Sequence, residues 1–308
     1  MILNNEASSL KIKINDSFNG MKIVDFLINE YDFSQRLLRR LKKDNAIKLN
    51  NNLVSVRQTI ISGDVLEILF EDEEINYFPE DIKLDILYED GDLLILNKNP
   101  FMVVHPTKTH LNKTLANGIA NYFIKNNIKK RIRFVNRLDM NTSGIIIVAK
   151  NSYAHQYVQN QMKNKTIVKK YIAILSNGFP YDEGIIDLPI GKFEKGDIKR
   201  KVFKGAKNSI TVFKTIENFY NNGAVVEAEL KTGRTHQIRV HFSHYGNALL
   251  GDELYGEKSE LINRQALHSF YLKIKVPRKK ESIEILSKLP EDMELAITQL
   301  RDDKNGRI

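Results

Sequence analysis

Arg133-Phe134-Val135-Asn136-Arg137-Leu138-Asp139-Met140-Asn141-Thr142-Ser143-Gly144, running straight into Ile145-Ile146-Ile147-Val148-Ala149-Lys150, changes character half-way. The second part is a short β-branched run opened by Gly144 and closed by Lys150, the pattern of a buried strand. The first part is polar, with turn-formers at Asn141, Ser143 and Gly144. Asp139 therefore sits on a loop feeding a rigid strand, two residues after Arg137. A single carboxylate in such a place commonly caps a turn. The rest of the chain decides whether this one does more.

The chain has 308 residues, 42% of them hydrophobic, enough for one large core or two domains. Its formal net charge is +9 and its sequence pI about 9.3, a balance that suggests an anionic partner, with nucleic acid the usual one. The same charge in a Lys-rich protein can serve solubility alone. There is no cysteine, which excludes disulfides, thiolate chemistry and Cys-ligated zinc. Apolar runs reach only about six residues against the roughly 20 that span a bilayer. The first residues lack the basic and apolar regions of a signal peptide. A soluble, cytoplasmic, monomeric protein is the expectation.

Residues 11–71 form a small basic module. Ile23, Val24, Phe26 and Leu27 fall at helical spacing, and Ser34 is placed to cap a second helix. In that helix Leu37, Leu38 and Leu41 face inward. Arg36, Arg39, Arg40, Lys42 and Lys43 make a cationic face that is either solvated or RNA-binding. Lys48 to Val54 reads as a hairpin with an Asn-rich turn, and Ser62-Gly63-Asp64 as a turn before the strand Val65–Leu69. The segments Ser34-Gln35-Arg36-Leu37-Leu38, Lys48-Leu49-Asn50 and Ser62 to Ile68 resemble the S-four RNA-binding domain. That family usually has Asn-Gly where this chain has Asn50-Asn51, and Asn tolerates the left-handed turn conformation as well.

A linker is expected over 72–84, a second domain over 85–300 and a polar tail over 301–308. Leu84–Tyr88 and Leu93–Asn97 read as a hairpin pair, Leu115–Ile128 and Tyr153–Asn164 as helices. Tyr171–Leu175, Ile210–Glu217, Ala224–Leu230 and Ile238–His241 read as strands. Strands parted by turns with scattered helices argue for an α+β domain on a mixed sheet. No internal repeat, phosphate loop or dinucleotide fingerprint is present.

Three further stretches are dense in chemistry: Lys169-Lys170-Tyr171-Ile172-Ala173, Thr232 to His241, and Gly251 to Gly256 with Arg264 and Leu267-His268-Ser269 after it. Together with Arg137-Leu138-Asp139-x-x-Thr142-Ser143-Gly144, Asn97-Lys98 and Val103-Val104-His105-Pro106-Thr107, they resemble the motifs of the RluA family of pseudouridine synthases. The likeness runs collinearly from about 85 to 295, and an N-terminal S-four domain is common in that family. The chain departs at Asn136, where the family often has His. It departs also at Lys98-Asn99-Pro100-Phe101, where Lys-Pro-x-Gly is usual, and at Val276-Pro277 in place of His-Pro.

The resemblance implies a pseudouridine synthase fold, a mixed and largely antiparallel sheet flanked by helices, and an RNA substrate. Large-subunit ribosomal RNA is the usual one among S-four-bearing relatives, with transfer RNA open. Isomerising uridine involves no net redox change and no added group, so no cofactor and no metal are expected. One carboxylate is needed beside the sugar, as nucleophile at the anomeric carbon or as base in a glycal route, and Asp139 is the candidate. Arg234 would pair with Asp139, Tyr171 would stack on or hydrogen-bond the uracil, and Arg137 would fill the space of the flipped base. Thr235, His236, Gln237 and Arg239 would line the cleft from a polar strand over 234–241. Two rival readings are a metallohydrolase using His236, His241, His244 and Asp252, whose spacing fits no standard zinc motif, and a non-catalytic RNA clamp.

Overall fold

The computed structural model describes residues 1–305 other than 108, 193 and 195. In the N-terminal unit, β1 (Ser9–Lys13), α1 (Ile23–Tyr31), α2 (Gln35–Lys43), β2 (Ile47–Leu49), β3 (Asn52–Leu53) and β4 (Val65–Leu69) build one small core. The strands run antiparallel in the order β1-β4-β2-β3. The Ser34 hydroxyl caps α2 by accepting from Leu37 N–H at 3.1 Å, and Leu37, Leu38 and Leu41 are buried while all five cations stay exposed. Asn50 and Asn51 have φ of 49° and 68°, the pair of left-handed residues that a two-residue hairpin turn requires. The unit starts earlier than the expected residue 11: β1 begins at Ser9, and Ile2 bridges to Ile12.

Residues 72–84 hold no helix or strand, yet they are not a free tether. Arg133 Nη2 donates to both Glu73 carboxylate oxygens at 2.5 Å, Ile132 N–H to the Asn76 side chain at 3.2 Å, and the Asn117 side chain to Phe78 O at 2.8 Å. The segment is a strap on the larger unit.

The larger unit continues with β5 (Asp85–Glu89), β6 (Leu93–Lys98), α3 (Leu115–Lys125), β7 (Arg133–Phe134), β8 (Ser143–Ala149), α4 (Ser152–Lys163) and β9 (Val168–Leu175). It then adds β10 (Glu183–Asp187), β11 (Ile190–Gly191), β12 (Lys201–Val202), β13 (Ile210–Asn218), β14 (Ala224–Leu230) and α5 (Gln237–His244). It closes with β15 (Leu267–Lys275), β16 (Ser282–Leu286) and α6 (Glu291–Asn305). The central sheet runs β10-β13-β14-β9-β15-β8-β6-β5, with β16 beside β15 and β7 beside β8. Among the described pairings only β8 with β15 is parallel, so the sheet is mixed and largely antiparallel.

The continuous apolar run of β8 has a direct cause. Ile145 and Ile147 pack toward α4 with Ala154 and Val158, while Ile146 and Val148 pack toward α3 with Ile119 and Phe123. A strand covered on both faces has no polar side to show. In the other half α5 covers Tyr171 and Ala173 of β9, and α6 covers Ile174 from the opposite face. Gly144, at φ 110°, opens the β8–β15 contact. A Cβ there would fall 2.2 Å from the Ser269 carbonyl oxygen, so only glycine lets the strands close at the foot of the Asp139 loop.

Two expectations are corrected. Residues 238–241 are helical, not a strand, because α5 spans Gln237–His244. The expected tail is in large part the end of α6, which runs on to Asn305; residues 306–308 lie outside the described residues.

Candidate active site

A cavity of about 580 Å³ opens where the loop between β7 and β8 faces β9 and the start of α5. It gathers Asp139, Arg137, Tyr171, Arg234, Thr235, His236, Gln237 and Arg239 along its walls. The loop bearing Asp139 is held on several sides. Thr142 N–H closes a turn on Asp139 O at 3.1 Å, Lys98 Nζ donates to Met140 O at 2.9 Å, and Arg264 Nη1 to Asn141 O at 3.1 Å. Asn136, in the place of the family's frequent His, accepts from Ile147 N–H at 2.8 Å and donates to Ile145 O at 3.1 Å. Its amide pins the loop to β8.

The Asp139 counter-ion is Arg239, not Arg234. Arg239 Nη1 donates to Asp139 Oδ2 at 3.0 Å, while its Nε and Nη2 reach both oxygens of the fully buried Asp252 at 2.7 Å each. Its guanidinium also lies 5.0 Å from the centre of the Tyr255 ring. Arg234 is exposed and donates from Nε to Asn208 O at 3.1 Å. The helix explains the exchange. His236 caps α5 in the left-handed conformation, and three residues on, Arg239 lies on the same helical face, so both reach Asp139. His236 Nε2 is 3.6 Å from Asp139 Oδ2, with Nδ1 2.9 Å from the Tyr255 hydroxyl. On a strand, residues three apart would face opposite ways.

Electrostatics follow from burial and these partners. Burial works against the Arg239 charge, but Asp252 and Asp139 outweigh it and raise its pKa. Burial lowers the pKa of His236 more than Asp139 raises it, so the ring is neutral at neutral pH and Arg239 remains the cation on Asp139. Tyr171 is pushed up to about 12, chiefly by burial, and stays a neutral phenol; its β15 neighbour Ser269 hydrogen-bonds it. Lys98 is buried, which brings its pKa down to about 7, yet Asn99 O, Met102 O and Met140 O accept from it at 2.8, 3.0 and 2.9 Å. Three acceptors need the three hydrogens of the ammonium form, so the carbonyls favour the charged state.

The other expected residues divide. Arg137 and Thr235 are exposed at the mouth. Gln237 is buried and fully engaged: its Oε1 accepts from Arg234 N–H and the Thr232 hydroxyl, and its Nε2 donates to Ile210 O and Thr211. It holds the turn before α5. The rival metal set is not assembled, because Asp252 is spent on Arg239 and the His241 ring bonds Thr211 Oγ1 at 2.9 Å and Leu188 O at 3.1 Å. Sequence reasoning gave Asp252 only a place in the rival metal set, and gave no role to Tyr255 or Arg264. The density of Gly251–Gly256 and the isolated Arg264 were the only signals.

Residues 92–244 match the family model described as RNA pseudouridylate synthase. The chain is 38% identical over 305 residues to an uncharacterized RNA pseudouridine synthase, YlyB, of Bacillus subtilis, covering 97% of this chain and 100% of that one. The chain belongs to the RluA family of RNA pseudouridine synthases. Ribosomal large subunit pseudouridine synthase D of Haemophilus ducreyi is 32% identical, over 88% of each chain. Among solved structures, human RNA pseudouridylate synthase domain containing 1 superposes with a TM-score of 0.56 at 26% identity, covering 72% of this synthase and 96% of the human chain. A second human structure, domain containing 4, shares the fold at TM-score 0.58 and 23% identity, over 70% and 93%.

Proposed function

We propose that this synthase isomerises uridines in large-subunit ribosomal RNA, with Asp139 as the catalytic carboxylate. Relatives named ribosomal large subunit pseudouridine synthase D, such as those of Haemophilus ducreyi and Vibrio vulnificus, support the choice of RNA. The carrying observation is the Asp139–Arg239–Asp252 chain at the wall of a cavity that also holds Tyr171. Asp252 takes two of the Arg239 hydrogen bonds, so Asp139 receives one. It is oriented by one charge-assisted hydrogen bond without both oxygens being tied up.

The reaction breaks the bond from the anomeric carbon to ring nitrogen one, turns the uracil and rejoins it through ring carbon five. The hydrogen on that carbon leaves as a proton and nitrogen one gains one, so the step is balanced without a cofactor. Asp139 acts at the sugar, as nucleophile or as base, while the neutral Tyr171 phenol and ring hold the base as it turns. A uridine inside folded RNA must first be extruded, at about a few kcal/mol, and Arg137 at the mouth occupies the vacated place. The N-terminal unit grips the RNA through α2 as an S-four domain, and the enzyme works as a soluble cytoplasmic monomer. Among the described residues no helix is long and apolar enough to cross a membrane.

Pseudouridine mapping of total RNA with and without the protein tests the target, and a site confined to transfer RNA would replace the ribosomal assignment. Asp139→Asn is expected to abolish modification while the variant still binds RNA within a few-fold of wild type. Modification at the wild-type rate would remove Asp139 from the chemistry.

A further inference from the structure

A second chamber of about 300 Å³ lies beside the active-site cavity. One wall is the end of α4, with Met162 and Lys163, and Lys165 just beyond. The other is the turn from β14 into α5, with Lys231 and Gly233, and Lys169 of β9 lies between them. The two chambers share Met162, Lys169, Leu230 and Gly233, so they lie side by side with only these residues between them. The alcove is lined by four lysines and no carboxylate. Lys231 is paired with Glu229, but among the described residues no carboxylate pairs with Lys163, Lys165 or Lys169.

Lys169 is the informative one. It stands two residues before Tyr171 on β9, hence on the same face of the sheet, and is only partly exposed. Burial lowers its pKa, and no carboxylate offsets that cost. Gly233 makes an independent point. Its φ is not in the left-handed region, and a Cβ built on it meets nothing within 4 Å. Neither backbone conformation nor packing inside the protein asks for glycine there. At the neck between two chambers, its missing side chain leaves a passage for a chain that is not part of the protein.

We propose that this alcove seats the RNA phosphodiester adjoining the flipped uridine, with Lys169 as its counter-ion and Gly233 as the opening through which the backbone passes. A nucleotide held by Tyr171 continues through its phosphates on both sides, and the alcove is a cationic space that borders the cavity at that residue's own strand. This deepens the ribosomal RNA reading and depends on it for the identity of the ligand.

The test uses full-length protein and transcribed large-subunit ribosomal RNA, with binding measured across a salt series alongside pseudouridine formation. Lys169→Met is expected to weaken binding about tenfold and to reduce the slope of log K against log salt by about one, as the loss of one phosphate contact should. Its thermal midpoint should equal or exceed wild type, because a buried charge without a partner has been removed; that separates lost binding from misfolding. Gly233→Val should weaken binding to a similar degree, and the double variant should be no weaker than Gly233→Val alone, since both act on one phosphate. Wild-type affinity and salt slope in Lys169→Met, or full additivity in the double variant, would overturn the alcove. The two readings fail separately. Lost affinity and slope in the variants, with no pseudouridine formed by wild type, removes the ribosomal target and keeps the alcove. An active wild type with unaltered binding in both variants removes the alcove alone.

Discussion

Arg239 answers to two carboxylates in different surroundings, one fully buried and one at the cavity wall. Deleting it strands Asp252 as a charge without a partner in the interior. Arg239→Ala should therefore lower stability by about 3–5 kcal/mol as well as activity, and Asp252→Asn added to it should recover part of the stability but not the activity. Arg234→Ala removes an exposed side chain with one hydrogen bond to Asn208 O, so its unfolding free energy should stay within about 0.5 kcal/mol of wild type. Urea unfolding of the three variants, read beside pseudouridine formation, checks the assignment. Equal losses in the Arg234 and Arg239 variants would contradict the pairing.

At the scale of elements, α5 marks the limit of what the sequence made legible. Ile238 and Val240 alternate with Arg239 and His241, which is a strand's signature if polar means exposed. Here polar means paired: Arg239 is buried against Asp252 and His241 against Thr211 and Leu188, so the alternation carries no information about faces. The hydrophobic spacing of α1 to α4 and the two-sided burial of β8 could be read because buried polar side chains are few along them, Asn117, Gln161 and Ser143, and do not alternate with the apolar ones. The carboxylate was legible from its motif, whereas its counter-ion depended on the helix. The β8–β15 junction yields a pH prediction. Burial lowers the His268 pKa to about 4, and its Nδ1 lies 2.9 Å from the Ser143 hydroxyl. Between pH 6.5 and 4 the unfolded chain takes up a proton that folded His268 refuses. Stability from this group is complete above about 6.5 and falls by about 3 kcal/mol as the pH drops to 4. The histidines at 155, 236 and 241 are also lowered by burial and add in the same direction. Urea midpoints of wild type and His268→Asn from pH 7 to 4.5 should show a shallower decline in the variant. On α2, replacing Arg36, Arg39, Lys42 and Lys43 with Gln should weaken RNA binding and flatten its salt dependence by up to about four in the slope. An unchanged slope would make that face merely solvated. Arg40 is left out because its Nη2 is given to Ser152 at 2.5 Å.

At the scale of the molecule, the two units share a core, although the change of composition at 72 suggests a tether. Tyr153 of α4 is fully buried within the N-terminal core, stacked on Phe33 with ring centres 4.6 Å apart and facing Phe70 at 6.2 Å. Gln156 accepts from Ser34 N–H at 2.8 Å and donates to Asp32 O at 2.5 Å. Far along the sequence, Arg278 grips both oxygens of the buried Asp92 at 2.9 and 3.0 Å and also bonds Asn4 and Glu6, so the first residues are stapled to the catalytic unit. The same helix whose start carries this docking ends at the lysine alcove. At about 1.5 Å per residue, the nine steps from Tyr153 to Met162 on the cavity wall span about 14 Å along one rigid rod. On the proposed role of α2, RNA held there would be set at a fixed distance from Asp139, and recognition by the two units should be coupled through that rod. Calorimetry should then show a single cooperative transition for the wild type. Tyr153→Ala, which removes the shared ring at a cost of about 3–5 kcal/mol, should split the trace into two. Its RNA affinity should fall toward that of independently tethered units while Asp139 and Arg239 stay in place. Two transitions in the wild type would mean that the interface does not couple the units, and that the distance to the cavity is not fixed by α4.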